Sequence, residues 1–198
     1  MLGLTALESA LDVIDAPIVQ ARTPGLNRDQ LIDLVSSTYP SVGPYIDDEI
    51  LAWWGWQNGL DPEGQKHIRQ RNPAFTAINL IAPDGLSLSA LQGMLLASEG
   101  IREFLEVGAV ASFPIGGSSD GGRYYVRKYQ KLDPWRVSKT DKELNGWMTG
   151  PEPLGPTFDD YLTALAAAIA AGRVGIASWG GLARLDSNVT SDWQYPWT

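Results

Sequence analysis

The chain has 198 residues, 44% of them hydrophobic, which is enough for one globular domain with a sizeable core. Its formal net charge of -8 opposes nucleic acid and anionic lipid as partners and favours basic ones, although solubility alone also accounts for such a balance. It contains no cysteine, which excludes disulfides, thiolate metal sites and cysteine nucleophiles and fits a reducing compartment.

The first residues lack a basic region and interleave Glu8, Asp12 and Asp15 with apolar positions, so no signal peptide is expected. No apolar run is long enough to span a membrane. A cytoplasmic location is the expectation. Thr5-Ala6-Leu7-Glu8 has capping-box spacing, and Leu4, Leu7, Leu11 and Ile14 recur at helical intervals, predicting a helix over 6–15. Residues 16–26, with Pro17 and Pro24-Gly25, read as an extended connection. Asn27 and Gln30 signal a second helix start, and Leu31, Leu34 and Val35 carry its apolar stripe to Thr38, where Tyr39-Pro40 stops it.

After a turn over 41–45 comes the stretch that organises the reading, residues 47–59. Asp47, Asp48 and Glu49 occupy an expected first turn, where carboxylates complement the positive end of the helix dipole. Asn58-Gly59 suits a left-handed closure. Ile46, Ile50, Trp53 and Trp54 fall on one stripe about 100° wide, the width of a core-facing surface. Trp56 lies off that stripe, so it must be covered by another element, packed at the rim, or presented to a partner.

Residues 63–72 are polar and hold the single histidine, His67, which has no neighbours suited to catalysis or metal binding and reads as an exposed residue. Residues 75–82 predict a strand between Pro73 and Pro83-Asp84-Gly85. Ser87 or Ser89 can cap a further helix with Leu88, Leu91, Leu95 and Leu96 on its buried side, interrupted by Gly100 before an apolar stretch over 101–107. The period then changes. Residues 110–115 and 123–129 predict an antiparallel hairpin around the glycine-rich loop 116–122. In its second strand Tyr124, Val126 and Lys128 alternate with Tyr125, Arg127 and Tyr129, which suggests one solvated face. Residues 131–153 leave further short strands unplaced. Thr157-Phe158-Asp159-Asp160 opens a helix running through Tyr161, Leu162, Leu165 and Ile169 to Gly172. The last 26 residues, with Trp193, Tyr195 and Trp197 at alternate positions, are expected to dock.

The order of these signals resembles the SMI1/KNR4 (SUKH) superfamily over residues 23–172. The resemblance rests on Ile46 through Trp53-Trp54 to Asn58-Gly59, on Ser112-Phe113-Pro114-Ile115-Gly116 followed by Asp120-Gly121-Gly122-Arg123-Tyr124-Tyr125-Val126, and on Thr157-Phe158-Asp159-Asp160-Tyr161-Leu162. The chain departs from the family pattern at Asp47, where proline is usual, and after Val126, where aspartate is usual. The resemblance implies an α+β fold, with helices around a curved, largely antiparallel sheet. Residues 1–22 would be a helical extension and 173–198 a C-terminal extension packed on the same domain. It also implies a non-enzymatic role, most often an immunity protein that neutralises a bacterial toxin domain such as a nuclease, and in some fungal members regulation of cell-wall assembly through protein contacts.

Reading the residues for chemistry agrees with binding. There is no Gly-x-Ser-x-Gly elbow to accompany the lone histidine, and the 116–122 loop lacks the Gly-Lys-Ser/Thr ending of a phosphate loop. The pairs Asp47-Asp48 and Asp159-Asp160 sit in helix first turns, where capping accounts for them. No catalytic residue, metal or cofactor is expected. A nuclease holds cationic side chains for its phosphate substrate, so an inhibitor gains by presenting carboxylates; Asp61, Glu63, Asp84 and Asp120, in expected loops, and Trp56 are the candidate partner-binding residues. The expected partner is a basic toxin domain, not nucleic acid or membrane, engaged by a monomer or weak homodimer. The alternative is a carbohydrate- or small-ligand-binding module using Trp56, Trp179, Trp193 and Trp197 as exposed platforms.

Overall fold

A computed structural model of the chain describes residues 1–59, 66, 70, 85–87, 89–99, 108–118, 123–140, 156–176 and 182–185. In order these form α1 (Leu2–Val13), α2 (Pro17–Ala21), α3 (Arg28–Thr38), a 3-10 helix (Pro40–Tyr45), α4 (Asp48–Trp56), β1 (Gly85–Ser87), α5 (Ala90–Glu99), β2 (Ala111–Ser118), β3 (Arg123–Lys128), β4 (Arg136–Thr140), α6 (Phe158–Ala170), β5 (Val174–Ile176) and β6 (Leu182–Arg184). Strands β1 to β4 make one antiparallel sheet in that order, and β5 pairs with β6. The fold is α+β. The expectations for 75–82, 101–107, His67 and the aromatic tail lie outside the described residues.

Local signals hold where the cap and the stripe belong to one helix. Asn27 accepts the N–H of Gln30 while Gln30 accepts that of Asn27, a complete capping box, and Leu31 and Val35 are buried behind it. Thr157 accepts the N–H of Asp160 at the start of α6, whose Tyr161, Leu162, Leu165 and Ile169 are buried. In α4 the expected stripe is the centre of the core: Ile50, Trp53 and Trp54 are inaccessible to solvent. Trp53 meets Phe158 of α6 edge-on at 5.3 Å, and Trp54 meets Phe113 of β2 edge-on at 5.4 Å, so one helix joins the last helix to the sheet.

Several expectations are corrected. Helix α1 starts at Leu2 rather than residue 6, and Thr5 does not cap it: Thr5 is exposed within the helix. The start moves because the Gly3 N–H donates to the Asp159 carboxylate of α6 at 2.9 Å, a cap supplied by a distant segment. At its other end α1 stops before Asp15, which adopts φ 48, a conformation aspartate tolerates better than most side chains. Residues 16–26 are not wholly extended, since Pro17 opens α2 with its fixed φ. The turn over 41–45 is part of the 3-10 helix. Asn58 does not close α4 in the left-handed region: Gln57 is already extended and only Gly59 has positive φ, at 81°. Asn58 instead turns its side-chain oxygen to the Ala90 N–H at the start of α5.

Helix α5 is rotated from the expected orientation. Ser89 caps it, as the spacing with Gln92 allows, but Leu91 and Leu95 are exposed and Ala90, Gly93 and Met94 face the core. The cause is Trp54: a Cβ on Gly93 would lie 3.2 Å from the Trp54 ring and 2.9 Å from the Pro114 carbonyl, so only a small residue fits there. Sheet β2 runs on through Gly116-Gly117-Ser118, which pair with β1 and were expected in the loop. Ile115 is the unpaired extra residue between Pro114, opposite Tyr125, and Gly116, opposite Tyr124. The solvated face expected of β3 is absent: Tyr124, Val126 and Lys128 are buried on one side and Tyr125 and Arg127 on the other.

Candidate functional site

Three polar clusters stand out among the described residues. The first is a junction at the N-terminus of α4. Asp47 caps the helix by accepting the N–H groups of Glu49 and Ile50 at 3.1 and 3.3 Å. The same carboxylate accepts the Trp135 indole N–H at 3.0 Å and pairs with the buried Lys128 ammonium of β3. Asp47 therefore ties a helix to a strand and to the β3–β4 connection.

Glu49 stands beside it, between Asp47 and Asp159. Its carboxylate accepts the backbone N–H groups of Trp135 and Asp159. Burial first, then the neighbouring charges of Asp47 and Asp159, push its pKa up to about 7 against the lowering effect of those two donors. A chain of borrowed caps results. Glu49 of α4 serves α6, and Asp159 of α6 serves α1.

The second cluster surrounds Trp56. Its indole N–H donates to Glu8 of α1 at 2.9 Å, Arg22 pairs with the same Glu8 oxygen at 2.9 Å, and the Arg22 guanidinium lies 4.6 Å from the indole ring centre. The Arg22 bond and then the Trp56 bond lower the Glu8 pKa. Trp56 is half-buried at this rim, its ring 5.6 Å from that of Trp53.

The third lies on the far face of the sheet. Ser112, Arg127 and Arg136 share one cross-strand row, and Pro114, Tyr125 and Ser138 share the next. Arg127 sits 5.0 Å from the Tyr125 ring centre, and burial pushes its pKa down against the attraction of the Tyr129 oxygen, to which Arg127 donates a hydrogen bond. The hydroxyls of Ser112 and Ser138 are sealed from solvent without a hydrogen-bond partner.

Of the sequence-derived partner-binding residues, Trp56 alone is described; Asp61, Glu63, Asp84 and Asp120 lie outside the described residues. Sequence reasoning placed Asp47 and Asp159 as first-turn acids and missed that they and Glu49 bridge elements. Periodicity carries no signal for such contacts. Among the described residues no group of three or more histidines, cysteines or acids is placed to hold a metal ion, and no helix is long and apolar enough to cross a membrane.

Together these features define an α+β protein with an antiparallel sheet and carboxylate-linked helices. No protein-family model, no curated protein and no solved structure matches the chain.

Proposed function

We propose that the chain is an SMI1/KNR4-like protein-binding domain acting in the cytoplasm as an immunity protein, which neutralises a basic toxin domain without catalysis of its own. What supports this reading is how its carboxylates are divided. Glu8, Asp47, Glu49 and Asp159 are spent on internal bonds, whereas Asp12, Asp15, Asp29, Asp33, Asp48 and Asp160 are exposed, of which Asp48 faces Arg28. An acidic surface of that kind complements a domain that must hold phosphate through lysine and arginine, and it speeds encounter by steering.

The test is binding and cell rescue against the toxin C-terminal domain encoded beside this gene, at two salt concentrations. Nanomolar binding that weakens with salt and protects cells is the expected result. Reversing Asp29 and Asp33 to lysine should then slow association while leaving the fold intact. Absence of both binding and rescue overturns the proposal.

A further inference from the structure

Helices α3 and α5 pack against each other, and Leu31 and Val35 of α3 enter the same core as Ala90 and Met94 of α5. Their outward sides therefore adjoin. Ile32 of α3 is 42% exposed, and Leu91 and Leu95 of α5 are 47% and 44% exposed. The two leucines stand one turn apart and form a ridge on a single side of α5. Core packing fixes which positions of α5 face out, because a Cβ on Gly93 would lie 3.2 Å from the Trp54 ring and 2.9 Å from the Pro114 carbonyl. It does not fix what stands there. Polar residues at 91 and 95 would serve the fold equally, and the outward side of a helix ordinarily carries them. A lone surface leucine needs no explanation, but three aliphatic side chains on adjoining helices make a patch of the kind that a partner covers.

The charge beside the patch selects the occupant. Asp29 and Asp33 are exposed and flank Ile32 at helical spacing, on the same side of α3. The one cation in the sequence of either helix, Arg28, pairs with Asp48 of α4 at 3.7 Å. Two copies of this face would set their own carboxylates against each other, and an anionic lipid surface would be repelled. A basic amphipathic partner matches both features, with aliphatic side chains for the patch and ammonium or guanidinium groups for Asp29 and Asp33.

We propose that the outward face of α3 and α5, formed by Ile32, Leu91 and Leu95 with Asp29 and Asp33 beside them, is a docking site for a basic amphipathic helix of a protein partner. That helix lays its apolar stripe along the leucine ridge and Ile32, while its lysines or arginines reach the two aspartates. Because Gly93 seats α5 against Trp54, the ridge is presented in advance and little ordering accompanies binding. This chemistry belongs to the face and does not depend on the partner being a toxin.

The probe is a synthetic amphipathic helix of leucine and lysine, with a leucine and glutamate helix of the same pattern as its counterpart. Each is titrated into the full chain by calorimetry at low and high salt. The lysine helix should bind saturably and more weakly as salt rises, and the glutamate helix should not bind. Replacing both ridge residues, Leu91→Lys with Leu95→Lys, should weaken binding by about tenfold or more. Asp29→Asn with Asp33→Asn should weaken it several-fold and remove most of the salt dependence. The control is Leu132→Lys, at a leucine 94% exposed in the β3–β4 connection, which should change affinity by less than about twofold. Equal affinity of wild type and the ridge variant overturns the proposal, as does an equal loss in Leu132→Lys. Self-association of the wild type that the ridge variant abolishes also overturns it, because the occupant is then a second copy. If the ridge variant does not fold, amide shift changes in the wild type decide: changes centred on 29–33 and 91–95 support the site, and changes elsewhere overturn it. The probe is not the toxin domain, so this outcome is separate from that of the rescue assay.

Discussion

Asp159 accepts the N–H of Gly3 at 2.9 Å across 156 residues of sequence, and the first helix is thereby capped by the last long one. A methyl on Gly3 would fall on the Asp159 carbonyl and come within 2.9 Å of the Thr163 amide nitrogen, so the two helices touch backbone to backbone. Asp159→Ala should cost about 1 kcal/mol, the usual worth of a cap. Gly3→Ala should cost more, roughly 1–3 kcal/mol for an overpacked contact, because neither backbone can give way. Urea denaturation of both variants measures the order; an Asp159→Ala loss exceeding that of Gly3→Ala contradicts this account.

Asp47 and Lys128 form a pair of which the ammonium is the buried member. Asp47→Ala removes the cap, the Trp135 acceptor and the counter-charge together, and the expected loss is about 3–5 kcal/mol, dominated by the stranded cation. Adding Lys128→Met should recover a large part of that loss. A double mutant no more stable than Asp47→Ala would show that the cap and the indole bond, not the charge, carry the cost.

On α5 the prediction separates two readings of the same leucines. Leu91→Lys and Leu95→Lys, at exposed positions, should change stability by no more than about 0.5 kcal/mol. Gly93→Ala should cost roughly 1–3 kcal/mol, since its methyl meets Trp54 and the Pro114 carbonyl. Thermal melts of the three proteins suffice. Had the leucines been the buried face, the ranking would invert.

Glu8 gives an acid-side signature. Its pKa is lowered below the ordinary 4.5 by Arg22 and then Trp56, so its contribution is present above pH 4.5 and lost as pH falls through the lowered value. Glu8 remains partly exposed, so the screened contribution is at most roughly 1 kcal/mol. Glu8→Gln should be the less stable protein at pH 6, and its deficit against wild type should shrink as pH drops below 4.5. Tryptophan fluorescence in denaturant titrations reports both, and a deficit that is constant with pH would remove the charge from the explanation.

What could be read from the chain was local. Asn27 with Gln30, Thr157 with Asp160, and the Ile50, Trp53 and Trp54 stripe each place a cap or a face within a few residues, and each is where the sequence indicated. The failures share one cause, a tertiary partner that overrides the local signal. Trp54 needs Gly93 beneath it, so α5 turns Leu91 and Leu95 outward; Asp159 supplies a cap, so α1 begins before Thr5; and both faces of β3 are buried, so alternation did not separate inside from outside. The site was less legible than the fold. Net charge pointed toward carboxylates, but which of them are spent internally depends on contacts such as Asp159 to Gly3 and Asp47 to Trp135, which no spacing encodes.

The docking of α1 on α6 also bears on how the chain is made. Leu4, Leu7 and Leu11 can be covered only once residues 158–170 have left the ribosome. At synthesis rates of about 5–20 residues per second that is a wait of roughly 10–30 s, during which a greasy N-terminal helix is exposed with its partner not yet translated. A nascent chain of this design holds α1 without its main packing partner until the domain is nearly finished.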